Sequence, residues 1–167
     1  MPFRSASLLL GISMAGYAIA GAVPPAQVDA CKLIDVNAAN AAAKVWFGTA
    51  ITFTGSSATG VRGGTCDFST DSPKHIDFSV FYAPVGNPDF YGLGASRPPN
   101  ETPVSGVGDR AVYDETNDAG SRYKNKDFAV LKGKAVLVIS VTLDKSVPFV
   151  TKEKLAEFAA KQFVPKM

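Results

Sequence analysis

Few side chains in this 167-residue sequence could do chemistry beyond hydrogen bonding. They are two cysteines, Cys31 and Cys66, and one histidine, His75. A four-ligand zinc site cannot be built from these three without carboxylates. The cysteines do not form a CxxC, and one imidazole is the only base that could activate a thiol. His75, Asp77 and Ser79 alternate along a single segment. On a strand such side chains point the same way in parallel, whereas a catalytic triad needs them to converge.

Gly106-Val107-Gly108-Asp109-Arg110-Ala111 has the spacing GxGxxA. A dinucleotide site needs that motif between a strand and a helix. Here Ala111-Val112-Tyr113 continues as a strand. The motif is therefore read as a structural turn of Gly106, Gly108, Asp109 and Arg110. Its glycines supply positive φ, and Asp109 bonds nearby backbone N–H groups or pairs with Arg110. Asp114, Glu115 and Asp118 fall together in DETNDAG, but without the glycine and closing Glu of an EF-hand loop they read as a solvated turn. Asn100-Glu101-Thr102 is a formal glycosylation sequon, discounted because Pro103 follows it. No catalytic residue, metal site or cofactor is expected from these patterns.

The cysteines gain meaning from the N-terminus. Residues 1–20 carry one charge, Arg4, then an apolar run ending in Ala18-Ile19-Ala20. That is the form of a cleavable export signal. The run is diluted by Gly11, Ser13 and Gly16 and falls short of the ~20 predominantly apolar residues a spanning helix needs. Once the signal is cleaved, no membrane-spanning segment is expected. Lipid attachment at Cys31 fits poorly, because Asp29 lies beside the cut and Pro24-Pro25 separates the cysteine from the apolar run. The expected location is periplasmic or extracellular. There, two cysteines 35 positions apart are expected to pair as a structural disulfide. Chain-entropy reasoning gives such a bridge about 4 kcal/mol at most.

Net charge is +2 with charged residues at 19%, and the charges are scattered. No basic stripe suggests nucleic acid. Hydrophobic residues are 46%, a figure raised by the removable leader. The rest reads as a flexible Pro/Ala-rich lead-in over 21–30, then one domain over 31–167.

Within that domain, Asp35 caps a helix over 36–47 that Gly48 closes, and Trp46 packs in the core. A short strand is expected over 50–54, a small-residue loop over 55–64, and a strand over 65–69. A turn follows at Asp71-Ser72-Pro73, then a half-buried strand over 75–82 with Ile76, Phe78, Val80 and Tyr82 on one face. Residues 84–103 form either a functional loop or a short helix near 89–96. Phe90, Tyr91, Leu93 and Arg97 are its candidate contact residues. Beyond the acidic turn, 121–124 and 128–131 read as strands. Lys132-Gly133-Lys134 is a hairpin turn, and 135–143 the central strand. Thr151 caps a last helix through Phe163, with Val150 stapled on Leu155 and Pro165 ending it. The order helix, strands, helix predicts an α+β fold: an antiparallel sheet with the N- and C-terminal helices packed on one face, a two-layer sandwich.

Three stretches now form a pattern: Cys31-Lys32-Leu33-Ile34 opening an Ala-rich helix, Cys66-Asp67-Phe68, and Val104-Ser105-Gly106-Val107-Gly108-Asp109-Arg110-Ala111 before a strand. In these the chain resembles a family of small exported bacterial envelope domains of unknown function, some lipoproteins and some sensor-like. The resemblance covers about 31–163. It implies the Cys31–Cys66 pairing and assigns no catalytic residue. The expected function is therefore non-catalytic binding of an envelope protein or of a small or glycan ligand, through 86–97 and the open sheet face. One alternative is an inhibitor of a lytic envelope enzyme. Another is a hydrolase, which would need Asp109, His75 or a serine to converge.

Overall fold

The computed structural model describes residues 27–48, 51–60, 62–70, 75–94, 101–117, 119–148 and 150–167. The export signal, the turn at 71–73, Arg97, Asn100 and Asp118 lie outside the described residues.

The fold is α+β. Seven antiparallel strands make one sheet: β1 (Thr54–Ala58), β2 (Gly64–Ser69), β3 (Ile76–Ala83), β4 (Thr102–Val104), β5 (Arg110–Thr116), β6 (Tyr123–Lys132) and β7 (Ala135–Asp144). Their spatial order is β1-β2-β3-β7-β6-β5-β4. The apolar segment 135–143 thus becomes the central strand, as its composition predicts. Helix α1 (Val36–Phe47) precedes the sheet and α2 (Lys152–Gln162) follows it. The caps are as read from the sequence. Asp35 Oδ1 accepts from the Ala38 N–H at 2.8 Å, and Gly48 takes a left-handed φ of 70°. Thr151 Oγ1 accepts from the Lys154 N–H at 3.3 Å, and Val150 and Leu155 are both fully buried.

The sheet has two unlike faces. One carries Phe68, Phe78, Val80, Phe128, Val130, Ile139 and Val141, all buried in the main core. Phe158 of α2 sets its ring 5.9 Å from Phe78 and 5.4 Å from Phe163. The Trp46 ring meets Phe78 edge-on at 5.2 Å and Phe158 at 5.0 Å.

Several local expectations are corrected. The strand expected over 50–54 lies later, at 54–58, inside the segment expected to be a loop. Phe53 instead drops into the core, and its N–H goes to Asn40 Oδ1 at 2.7 Å. Gly55 and Ser56 become an edge strand because β2 offers them a partner, which outweighs their weak strand preference. The acidic turn is also corrected. β5 runs on through Thr116, paired to Asn125. Asp114 and Glu115 therefore sit on opposite faces rather than clustering. The two strands expected over 121–124 and 128–131 are one continuous strand, β6, which begins at Tyr123. Of the two alternatives for 84–103, a functional loop or a short helix near 89–96, the described residues show a 3-10 turn, Pro88–Tyr91, capped by Asn87. Just before Cys31, Val28 bridges Gly60 and Ala30 is fully buried, so these last residues of the lead-in join the fold.

Candidate functional site

Cys31 and Cys66 form a disulfide, with Cα atoms 5.0 Å apart. It ties the 3-10 turn Ala30–Lys32 to β2, next to the edge of the sheet.

The GxGxxA segment is a turn, with Gly106 at φ 81° and Gly108 at φ 63°. A side chain at Gly108 would also strike the Leu131 carbonyl, so both conformation and space call for glycine. The Asp109 N–H donates to Leu131 O at 2.8 Å, and its Oδ2 accepts from the Gly133 N–H at 2.6 Å. Asp109 thus fastens this turn to the β6–β7 hairpin. The expected alternative of an Asp109–Arg110 pair is not what forms. Arg110 Nη1 instead donates to Leu93 O at 2.6 Å and to Gly94 O. Arg110 holds down the end of the 84–94 segment, which crosses the second sheet face as a strap.

The strap divides that face. Leu93 is buried against Val112, Ala129 and Val136, with Tyr91, Leu131 and Val138 around them. Leu93, read as a contact residue, is therefore a core residue of this smaller cluster. Its side chain follows a strap that needs an apolar anchor. Tyr91 is half-buried and stacks on Phe81 at 5.5 Å. Phe90 is 81% exposed. Of the four candidate contact residues, Phe90 and Tyr91 come together at the strap's tip, Leu93 turns inward, and Arg97 is outside the described residues.

Beyond the strap the same face is polar, in an order set by strand register. Asp67 lies opposite Ser79, Ser79 opposite Ser140, Ser140 opposite Asp127, and Asp127 opposite Asp114. Directly paired residues share a face, so these five side chains form one row across five strands. At ~4.8 Å per strand the row is about 19 Å long. A second row beside it runs Ser69, Asp77, Thr142, Asn125, Thr116.

Where the first row meets the strap there is a hollow of about 290 Å³, lined by Phe90, Tyr91, Glu101, Val112, Asp114, Asp127, Ala129, Val138 and Ser140. None of its lining residues is basic. Ser140 Oγ donates to Asp127 Oδ1 at 2.5 Å. Burial pushes the Asp127 carboxyl above the ordinary carboxylate range, Asp114 pushes it further, and the Ser140 hydrogen bond opposes them. Desolvation, with repulsion from Asp77, raises Asp67 as well. Tyr91 and Phe90 also line a larger recess on the strap's other side, about 1030 Å³, which Arg62 and Phe81 help to form.

The sequence pointed to the open sheet face but not to these residues on it, because no contiguous motif carries them. The aspartates are 67, 114 and 127, each placed by strand pairing. The available signal was alternation, which the sequence shows clearly only in 76–82.

Three other polar groupings have structural work. Lys126 is buried on the main-core face, paired with Val141; Nζ donates to the Tyr113 hydroxyl at 2.6 Å and to Glu115 Oε2 at 2.8 Å. The lysine lowers the Glu115 carboxyl, while burial and Glu115 raise the Tyr113 phenol. Lys124 Nζ, also buried, donates to Val147 O at 2.8 Å. His75 Nε2 lies 2.5 Å from Asp77 Oδ2. Its ring packs on Tyr123 at 4.8 Å, at the start of β6. Asp109 sits at the other end of that strand, against Leu131. Eight residue steps put the two about 26 Å apart, so a His75–Asp109 site does not assemble.

Comparison with family models, with curated proteins and with solved structures finds no match. No helix among the described residues is long and apolar enough to cross a membrane.

Proposed function

We propose that the protein is an exported, non-catalytic binding domain that uses the polar half of its open sheet face, walled by Phe90 and Tyr91, to hold a ligand rich in hydrogen-bond donors. The observation that carries this reading is the in-register row Asp67–Ser79–Ser140–Asp127–Asp114 ending in a hollow with no basic lining residue. Carboxylates only accept, and hydroxyls accept as readily as they donate. Such a surface suits the hydroxyls of a glycan or the ammonium groups of an amine or basic segment. An aromatic at the rim suits either, by packing on a sugar face or over a cation.

Three further readings belong to this proposal. The chain is kin to the small exported envelope domains it resembles. Residues 1–20 are its removable export signal, and the Cys31–Cys66 disulfide fits an oxidising compartment. Both helices share one sheet face as a two-layer sandwich, leaving the other for recognition. The Trp46–Phe78 ring contact supports this, as does the 3.0 Å hydrogen bond from Lys154 Nζ to Val45 O.

The test is a binding screen of the full chain against immobilised oligosaccharides, polyamines and lysine-rich peptides. Asp127→Asn and Phe90→Ala should each weaken whichever class is retained while leaving the fold intact. Retention that both variants leave unchanged would remove the proposal.

A further inference from the structure

A third hollow lies away from the proposed recognition face. It has a volume of about 280 Å³ and opens onto the disulfide, with Cys31, Cys66, Ile34, Ser56 and Phe68 among its lining residues. The two sulfurs are not equally placed. Cys66 is 1% exposed and sits in the main core, its Sγ 4.0 Å from Ile34 O in a buried contact. Cys31 is half-buried, and its Sγ contacts Ser56 O at 3.6 Å in an exposed position. Thiol–disulfide exchange needs direct approach of a thiolate to one sulfur, so access selects which sulfur is attacked.

We infer that Cys31 is an S-thiolation site, the sulfur at which a low-molecular-weight thiol enters the Cys31–Cys66 bridge. The incoming thiolate attacks Cys31 Sγ and forms a new S–S bond there. The Cys31–Cys66 bond breaks, and the electron pair leaves on Cys66, which takes a proton from water. No external oxidant or reductant is consumed in this step. The released Cys66 sulfur lies in apolar surroundings that disfavour a thiolate. The Cys66 Cα lies 5.0 Å from that of Cys31, so once the free thiol is removed the Cys66 sulfur, on losing its proton, attacks Cys31 Sγ, re-forms the bridge and expels the small thiol. The bridge is then a reversible clamp on the 3-10 turn Ala30–Lys32, with a defined point of entry.

The test uses the full chain under native conditions with excess glutathione. Iodoacetamide traps any released thiol, and peptide mass mapping locates both labels. The expected result is glutathione on Cys31 and the alkyl group on Cys66, in at least a tenfold excess over the opposite arrangement. The reverse arrangement, an even mixture, or no adduct until denaturant is added would each overturn the inference. Two single-cysteine variants give an independent measurement. Cys66→Ser, which leaves the Cys31 thiol, should react with Ellman's reagent at least tenfold faster than Cys31→Ser. Equal rates in variants that keep their folded circular dichroism would contradict it.

Discussion

The two halves of the open sheet face are made from the same strands, yet they are finished differently. Toward the β6–β7 hairpin, Val112, Ala129 and Val136 are closed over by Leu93, and Arg110 fastens the strap from the side. Two to four residues along the same strands, the positions are Asp114, Asp127 and Ser140, and they line a hollow instead. Apolar side chains gain by leaving water, and the chain spends a loop to cover them. Carboxylates lose by the same move, unless something supplies donors. A sheet that needed only to be solvated would keep its acids apart. Here register sets Asp114 directly across from Asp127, a pairing of like charges that costs stability. The strap buries one half for the fold and leaves the other as a hollow, the one we propose holds a ligand.

The largest effect should come from neither half but from the main-core face behind them both. Phe78→Ala removes a fully buried ring that packs on Phe68, Trp46 and Phe158, and should cost about 3–5 kcal/mol. Ser79→Ala, the next residue but on the open face, should change stability by less than about 1 kcal/mol. Denaturant titration of the pair measures how unequal the faces are. Cys66→Ser should come next, at about 2–4 kcal/mol, read as a fall in melting temperature. Leu93→Ala should cost about 2–3 kcal/mol by emptying the small cluster under the strap, whereas Phe90→Ala, at 81% exposed, should leave stability nearly unchanged and weaken binding. If Leu93→Ala were as mild as Phe90→Ala, the division of the face by the strap would be wrong.

A subtler contrast concerns pH. A carboxyl raised by folding binds its proton more tightly in the native state than in the unfolded one. Stability contributed by Asp127 and Asp67 is therefore present below their ordinary value and lost as pH rises through the folded value. Asp127→Asn should then raise the melting temperature at neutral pH and flatten its decline as pH rises above the ordinary carboxylate range, while weakening binding. Asp144 has the opposite sign. The Ser146 backbone N–H and Arg122 hold its carboxyl at about 2. Its contribution is present above the ordinary carboxylate value and lost as pH falls through about 2, so Asp144→Asn should destabilise at neutral pH. Melting curves across pH 2–7 check both signs.

Much of the fold was legible because its signals are local. Asp35, Gly48 and Thr151 mark helix ends by their own hydrogen bonds and dihedrals. The alternation in 76–82 and the apolar run 135–143 announce strands by period and composition. Legibility failed where a distant partner decides. Gly55 and Ser56 become strand only because β2 is there to pair. Lys124 and Lys126 sit buried in β6 because Val147 O and Glu115 receive them, and the polar run Asn125-Lys126-Asp127 made the segment look like two strands with a break. Leu93 looked like a contact residue beside Phe90, since nothing local tells which side of the strap faces the sheet. The candidate site suffers most from this. Its acids come from β2, β5 and β6, and only register brings them into line.

The central claim is that the polar half of the open face receives donor-rich ligands. An amide-resolved NMR titration of the isotope-labelled full chain with spermine, and separately with a neutral oligosaccharide, tests it most directly. The account predicts saturable shifts at Asp67, Ser79, Asp114, Asp127, Ser140 and Phe90 with at least one of the two probes, lost in Asp127→Asn. No saturable shifts with either probe, or shifts confined to α1 and α2, would contradict it.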